Sequence, residues 1–340
     1  MRKKEYLAKI LSVSGVHAAC ARFRDLAVKE LPILGYHRIL DIEHTAFPFD
    51  PSLVSASRAD FAWQMQYVKK NYNPITFQAL LDALDGKSDL PKRPVIVSFD
   101  DGFDDNYHHA FPILKSLDMP ATFFVATGYI GSEKPFWFDL IAHILYQAPT
   151  GPMQVEQPAL SLQLDDNVAS RRAATLKLIR ALKKITNQQR LDFFERFTRE
   201  HDSVIDLTKQ KMSRPMSWAQ VREMSAAGIE FGSHTVTHPI LSTVDDKNLH
   251  RELIDSRQKL EQELGKPISL LAYPIGEATA FNDNVITAAQ SAGYRIGVSY
   301  VEGVNRLQDI NLFRLCRQHV ELHTSRDYFK GLLSLPEVFW

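Results

Sequence analysis

The sequence predicts an α/β fold, a barrel of seven or eight parallel strands alternating with helices and interrupted once by a helical insertion. Two observations carry this. Short apolar runs bounded by Pro, Gly or polar residues recur along the chain, as at Val95-Ile96-Val97, Ala121–Val125 and Ile268–Tyr273. Between them lie stretches with apolar residues at helical spacing, and strand–helix–strand order marks parallel sheets joined by crossover helices. With 340 residues, 45% hydrophobic and 24% charged, the chain has the composition of a globular protein large enough for such a barrel.

In order, residues 1–30 read as a helical leader. It opens Met1-Arg2-Lys3-Lys4, and its apolar run Ile10–Val16 is short and closely flanked by Lys9 and His17. An amphipathic helix with Leu7, Ile10 and Leu11 on one side is expected rather than a secretion signal. The barrel is placed at 31–320. Pro32–Arg38 is its first strand, and His37 ends it either as a site residue or, preferred slightly, as a satisfied histidine beneath the next loop. A loop covers 41–56. Ser57 and Thr76 cap the next two helices, the second closed by Gly86. The strand at 95–99 follows, then a helix limited by Pro112, then Ala121–Val125.

Residues 136–212 break the rhythm. They hold Phe136-Trp137-Phe138, a Pro/Gly-bearing stretch at 148–158 and two helical patterns, one marked by Leu176, Ile179, Leu182 and Ile185, the other capped by Asn187 and carrying Leu191, Phe194 and Phe197. No strand is evident, so a helical insertion is expected, either a lid or substrate-side wall or mere padding of the barrel, which the sequence does not separate. The barrel resumes with a capping box at Ser217 and Gln220, a strand at 229–233, a helix from Asp246 to Leu264, strands at 268–273, 294–299 and 312–320, and a tail at 321–340.

The chemistry gathers at predicted strand ends. Asp100-Asp101-Gly102 closes one strand, and the glycine frees the turn to bring both carboxylates towards one site. Two carboxylates held together raise one pKa unless a cation holds them, so a metal bound by one Asp beside a free basic Asp is the economical account. His234 and His238 follow the strand at 229–233. Their His-x-x-x-His spacing could place two ligands one turn apart, but Thr235, Val236, Thr237 and Pro239 favour a loop, and the glutamate of a helical zinc-protease motif is absent. Two imidazoles and one carboxylate leave coordination positions open, the pattern of a catalytic site. In a barrel, all these strand ends share one face with Tyr273-Pro274-Ile275-Gly276.

SFDDGFDDNY, GSHTVTHPIL and LAYPIGE together resemble the polysaccharide deacetylases, carbohydrate esterase family four, which includes the chitooligosaccharide deacetylases of nodulation. The likeness runs from about Ile33 to Tyr300, interrupted by the insertion, and the stretch from Trp218 to Leu241 is similar to the bacterial branch associated with extracellular and capsular polysaccharides. It implies a distorted barrel and removal of acetyl groups from an N-acetylated polysaccharide, oligosaccharide or lipid-linked sugar precursor. Residue by residue, it implies Asp100 as general base and Asp101, His234 and His238 as ligands of a divalent metal, zinc by preference. It also implies the Ile275 N–H as oxyanion donor, with Tyr273 and Pro274 lining the site. Two departures stand out. The arginine that often precedes the motif proline is absent, leaving Arg314 and Arg317 as candidates to brace Asp100. The Leu-x-His motif of the general acid fits neither His319 nor His323. An O-acetyl esterase or deformylase, or a non-catalytic carbohydrate-binding protein, is the alternative.

Lys+Arg 40 balances Asp+Glu 40, so nothing suggests a nucleic-acid partner. Cys20 and Cys316 form neither a metal knuckle nor a disulfide framework. No stretch is long and apolar enough for a transmembrane helix. A carbohydrate substrate and a cytoplasmic location are expected, with peripheral membrane association and a secreted or periplasmic location as lesser readings; oligomeric state is not legible.

Overall fold

The computed structural model describes residues 2–13, 29–42, 47, 49–205 and 213–339. Cys20, the run from Ser14 to His17, Pro48 and the insertion residues 206–212 lie outside them. The barrel strands are β1 (Ile33–Tyr36), β2 (Pro94–Phe99), β3 (Thr122–Val125), β4 (Glu230–Ser233), β5 (Leu270–Ala272), β6 (Ile296–Glu302) and β7 (Leu315–His319). Each pairs in parallel with the next in this order, and β7 pairs with β1, so seven strands close a ring. Closure leaves no open edge in the ring. A short extended piece, Asn73–Pro74, runs outside β2. The strands are apolar throughout because both faces are covered: β2 and β3 are buried at every residue.

The helices around the ring are α1 (Arg2–Val13), α2 (Arg58–Asn71), α3 (Phe77–Leu84), α4 (Phe111–Ser116), α5 (Trp137–Gln147), α6 (Val168–Leu182), α7 (Asn187–Glu200), α8 (Trp218–Ala226), α9 (Asp246–Leu264), α10 (Asp283–Ser291), α11 (Arg326–Ser334) and α12 (Pro336–Phe339). Ser57, Thr76, Ser217 and Asn282 cap as their side chains predict, each accepting from a backbone N–H three residues on. The inner face of α2 (Phe61, Met65, Val68) packs with Tyr36, Val97 and Phe99 in the main core.

Several local readings are corrected. The leader helix turns Ala8 and Leu11 towards Leu332 and Phe339 of α11 and α12, while Leu7 and Ile10 are exposed. The loop at 41–56 ends in a strand, Val54–Ala56, beside Arg38–Ile39. The insertion holds an antiparallel hairpin, Gly151–Val155 against Leu160–Leu164. Its signal was a period-two alternation, Leu162 and Leu164 buried and Ser161 and Gln163 exposed, masked by the surrounding Gly and Pro. Thr186, not Asn187, caps α7, in a capping box with Gln189. Leu176 and Leu191 face solvent; Leu178, Leu182, Phe193 and Phe197 are the buried positions. With Phe136, Phe138, Ile141 and Leu145 these make a second apolar core distinct from that of the barrel. Asp139 of α5 ties this unit to the barrel: it accepts from Ser213 and lies 3.8 Å from Arg38, whose Nε is bound to Asp105 at 2.8 Å.

Candidate metal centre and active site

The chain leaves β2 through a turn with two residues in the left-handed region. Asp101 has φ 73° and Gly102 φ 92°. A Cβ on Gly102 would meet Val125 and Ile130 side-chain carbons at 2.9 Å, so the glycine serves close packing as well as the turn. The turn sends the two carboxylates to different partners.

Asp101 is buried, with Oδ1 3.2 Å from His238 Nε2 and 3.6 Å from His234 Nε2. All three side chains are buried, and their donor atoms lie within 4.8 Å of one another. His234 Nδ1 lies 2.8 Å from the Ala272 carbonyl. A carbonyl only accepts, so Nδ1 carries the hydrogen and Nε2 presents a lone pair, the usual way a ligating histidine is oriented. Burial lowers both histidine pKa values, that of His238 to about 3, with Arg190 adding to the effect. The imidazoles are therefore neutral. Burial raises the Asp101 carboxyl, and its Oδ1 has no hydrogen-bond partner. Donor atoms of three groups thus converge, His234 presenting a lone pair. This donor set, a hard carboxylate oxygen and two imidazole nitrogens, fits a divalent cation such as zinc.

Asp100 faces the other way. Its oxygens accept from Arg317 Nη1 at 2.8 Å and Nη2 at 2.6 Å, a bidentate pair with both side chains buried. Burial pushes this carboxyl up, but the Arg317 guanidinium outweighs it and holds Asp100 well below the usual carboxylate range. Arg317 is itself fixed by donating from Nε to the Ser299 carbonyl at 2.7 Å. The brace that the sequence motif lacks is therefore supplied by β7. Arg314, the other candidate, pairs with Asp283 in an exposed position.

Residues 87–297, more than half of the chain, match the family model for polysaccharide deacetylase. The chain belongs to the polysaccharide deacetylase family. Over 306 residues it is 22% identical to YxkH of Bacillus subtilis, covering 90% of this chain and 76% of that one. Over 90 residues it is 36% identical to poly-beta-1,6-N-acetyl-D-glucosamine N-deacetylase of Staphylococcus aureus, a match spanning 26% of this chain and 30% of the relative. In fold it is similar to the deacetylase PplD of Streptococcus pyogenes, solved with acetate (TM-score 0.57, 22% identity, covering 88% of this chain and 95% of that one). It is likewise similar to IcaB of Ammonifex degensii (TM-score 0.54, 20% identity, covering 92% and 98%).

In this member of the family, backbone strain collects around the centre. Besides Asp101, Thr235 (φ 68°), His238 (φ 56°) and Ile275 (φ 64°) occupy the left-handed region. Such residues cost about 1–3 kcal/mol each and persist only where the surroundings hold them. Glu252 of α9 does much of the holding: its carboxylate accepts from the N–H groups of Val236 and Thr237 at 2.8 and 2.9 Å and from the Thr237 hydroxyl at 2.6 Å. The loop reading of His-x-x-x-His is thus the observed one.

The remaining sequence candidates divide. The Ile275 N–H makes no hydrogen bond to another described residue, and its side chain packs against the insertion core. Pro274 is buried beside it. Tyr273 is corrected: its ring stacks on Phe281 at 4.3 Å and its hydroxyl donates to the Phe313 carbonyl at 3.0 Å, so the side chain belongs to the core rather than the lining. Residues that the sequence left unassigned lie beside the site. Register places Tyr36 beside Phe99, which sets His37 next to Asp100 at the strand ends. His37 is only partly buried, and lies in the field of Asp101, Asp100, Arg317 and His234. This places it at the strand ends beside Asp100. From the insertion, the Phe138 ring packs on His238 at 5.7 Å, and Lys183 pairs with Glu277 at 2.9 Å beside the Pro274–Gly276 turn.

Proposed function

We propose that this protein is a metal-dependent carbohydrate N-deacetylase, hydrolysing the acetamide of an N-acetylated polysaccharide, oligosaccharide or lipid-linked sugar. The observation that carries the reading is the division of labour at the end of β2: Asp101 facing two neutral imidazoles, and Asp100 kept ionised and apart by Arg317.

Asp101, His234 and His238 would hold the ion. When bound, a divalent cation, zinc in this reading, supplies Lewis acidity that eases deprotonation of water and polarises the acetamide carbonyl. Asp100 accepts the proton of the attacking water, which requires it to be ionised at neutral pH, as Arg317 ensures. The Ile275 N–H donates to the oxygen on which negative charge develops; one such donor contributes about 3 kcal/mol in comparable sites. His37 gives a proton to the departing amine nitrogen. Phe138 and the Lys183–Glu277 pair make the insertion one wall of the substrate cleft. The chemistry named for the Staphylococcus aureus relative makes β-1,6-linked N-acetylglucosamine oligomers the first substrate to test.

The test is acetate and free amine released from such oligomers by zinc-loaded protein, beside Asp100→Asn. The variant should keep its metal while turnover falls by about 10²–10⁴-fold. Release of acetate with a free hydroxyl instead of an amine would assign an O-acetyl esterase. Binding without release would assign a non-catalytic carbohydrate-binding protein. Full turnover by Asp100→Asn would remove Asp100 from the chemistry.

A further inference from the structure

Among the described residues no carboxylate holds the His37 ring; its partner is Tyr300, near the end of β6, whose hydroxyl lies 3.3 Å from His37 Nδ1. The two rings meet edge to face with centroids 4.9 Å apart. Tyr300 is fixed on every side. The His319 ring stacks on it at 3.8 Å and 14°, and His319 Nε2 donates to the Tyr300 carbonyl at 3.0 Å. The Arg317 guanidinium that braces Asp100 lies over the same ring, 4.8 Å from its centroid. The Tyr300 N–H donates to the Gly276 carbonyl at 2.8 Å, anchoring it to the Pro274–Gly276 turn. Two glycines make room for it. A Cβ on Gly35 would stand 3.1 Å from Tyr300 Cε2, and one on Gly276 would stand 2.4 Å from the Tyr300 nitrogen. One residue therefore touches the brace of the proposed base and the proposed acid through its ring and the turn carrying the proposed oxyanion donor through its N–H.

We infer that Tyr300 is the positioning residue for His37: its hydroxyl oxygen accepts from Nδ1–H, so that Nε2 is the nitrogen that exchanges a proton with substrate. This rests on the functional reading above. The physical case is one of matching. A hydroxyl oxygen can accept from Nδ1–H both when the ring is charged and when it has given up its Nε2 proton, so no heavy atom need move during transfer. Burial raises the Tyr300 hydroxyl pKa, so it stays neutral throughout. Burial lowers the His37 pKa, against the fields of Asp101 and Asp100, which raise it. The stack with His319 keeps the Tyr300 ring, and so its hydroxyl, in place when substrate enters.

The test is Tyr300→Phe, which keeps the ring and its stacking and removes the hydroxyl. With β-1,6-linked N-acetylglucosamine oligomers and zinc-loaded protein, kcat should fall about tenfold, the worth of one hydrogen bond, with KM within about twofold. In a His37→Gln background the same substitution should add no further loss, because Tyr300 acts only through His37. Equal losses in both backgrounds would overturn the inference. Nitrogen-15 NMR of the His37 ring gives a readout that needs no turnover. Wild-type protein should carry its proton on Nδ1 when neutral, and Tyr300→Phe should lose that preference. An Nε2–H tautomer in wild type, or the same tautomer in both proteins, refutes the proposal. Wild-type protein that shows the Nδ1–H tautomer, lost in Tyr300→Phe, yet releases no acetate would leave the positioning intact and overturn the deacetylase reading instead.

Discussion

Arg317→Met removes the guanidinium that holds Asp100 while keeping most of the side-chain volume. The pair is bidentate, at 2.8 and 2.6 Å, with side chains 0% and 3% exposed. Deleting one partner of a buried pair costs about 3–5 kcal/mol, because the other charge is left uncompensated. At about 2.1 cal/mol/K of unfolding entropy per residue, that is a fall in Tm of roughly 4–7 °C for a chain of this length. The pH dependence carries a sign that separates this account from mere loss of packing. In wild type the folded carboxyl sits below its unfolded value, so its contribution is fully present above the unfolded pKa and is lost only in strong acid. In Arg317→Met, burial, already the largest influence on Asp100, is no longer outweighed, and the folded pKa rises above the unfolded one. The destabilisation then grows as pH climbs through the carboxylate range. Thermal melts at pH 5 and pH 8 should show the larger deficit at pH 8, and acetate release should need higher pH in the variant than in wild type. The double variant Asp100→Asn/Arg317→Met, with no buried charge left unpaired, should recover most of the stability but none of the turnover. A single variant melting within about 1 °C of wild type at pH 8, or a deficit larger at pH 5, would refute the reasoning.

Other expectations follow from the same geometry. His238→Ala should lose bound zinc on elemental analysis, since it removes one of three converging donors; undiminished zinc would take His238 out of the ligand set. Asp139 is buried with its pKa pushed up to about 7 by burial, so folding is penalised as pH rises from the unfolded carboxyl value towards neutrality. Asp139→Asn should flatten the fall in urea stability between pH 5 and pH 8, an effect of roughly 3 kcal/mol, since about two pH units of the shift lie in that window; an unchanged slope would show that Asp139 does not titrate there.

The legible part of this fold was its rhythm. Apolar runs and capping residues gave the strands and most helix starts, because those signals are local: Ser217 with Gln220, or Asn282, needs no tertiary contact to act. The insertion read less well for the same reason. Its hairpin has strands of five residues whose alternation is crowded by Pro152, Pro158 and Gly151, and the faces of its helices were set by a core visible only once assembled. In the candidate site, Asp101, His234 and His238 were recoverable because each follows a strand end and the donor types announce themselves. Tyr273 was misplaced because a strand-end position fixes where the backbone goes, not which way a side chain turns.

The supports that sequence reading left unassigned share one physical cause. A brace for Asp100 was sought next to the motif proline, but a barrel is a ring, and its first and last strands are neighbours. The pairing of β7 with β1, and of β1 with β2, carries Arg317 to Asp100 across 217 positions of sequence. It also puts His319 beside Gly35, two residues from His37. The support of the base and the setting of the proposed acid are therefore both built at the seam where the ring closes. This makes the seam testable as a unit. A substitution that loosens it, such as Gly35→Ala, would place a Cβ 3.1 Å from Tyr300 and 3.4 Å from Arg317 Cδ. It should disturb base and acid together while leaving the Asp101, His234 and His238 donors, which hang from β2 and β4, in place.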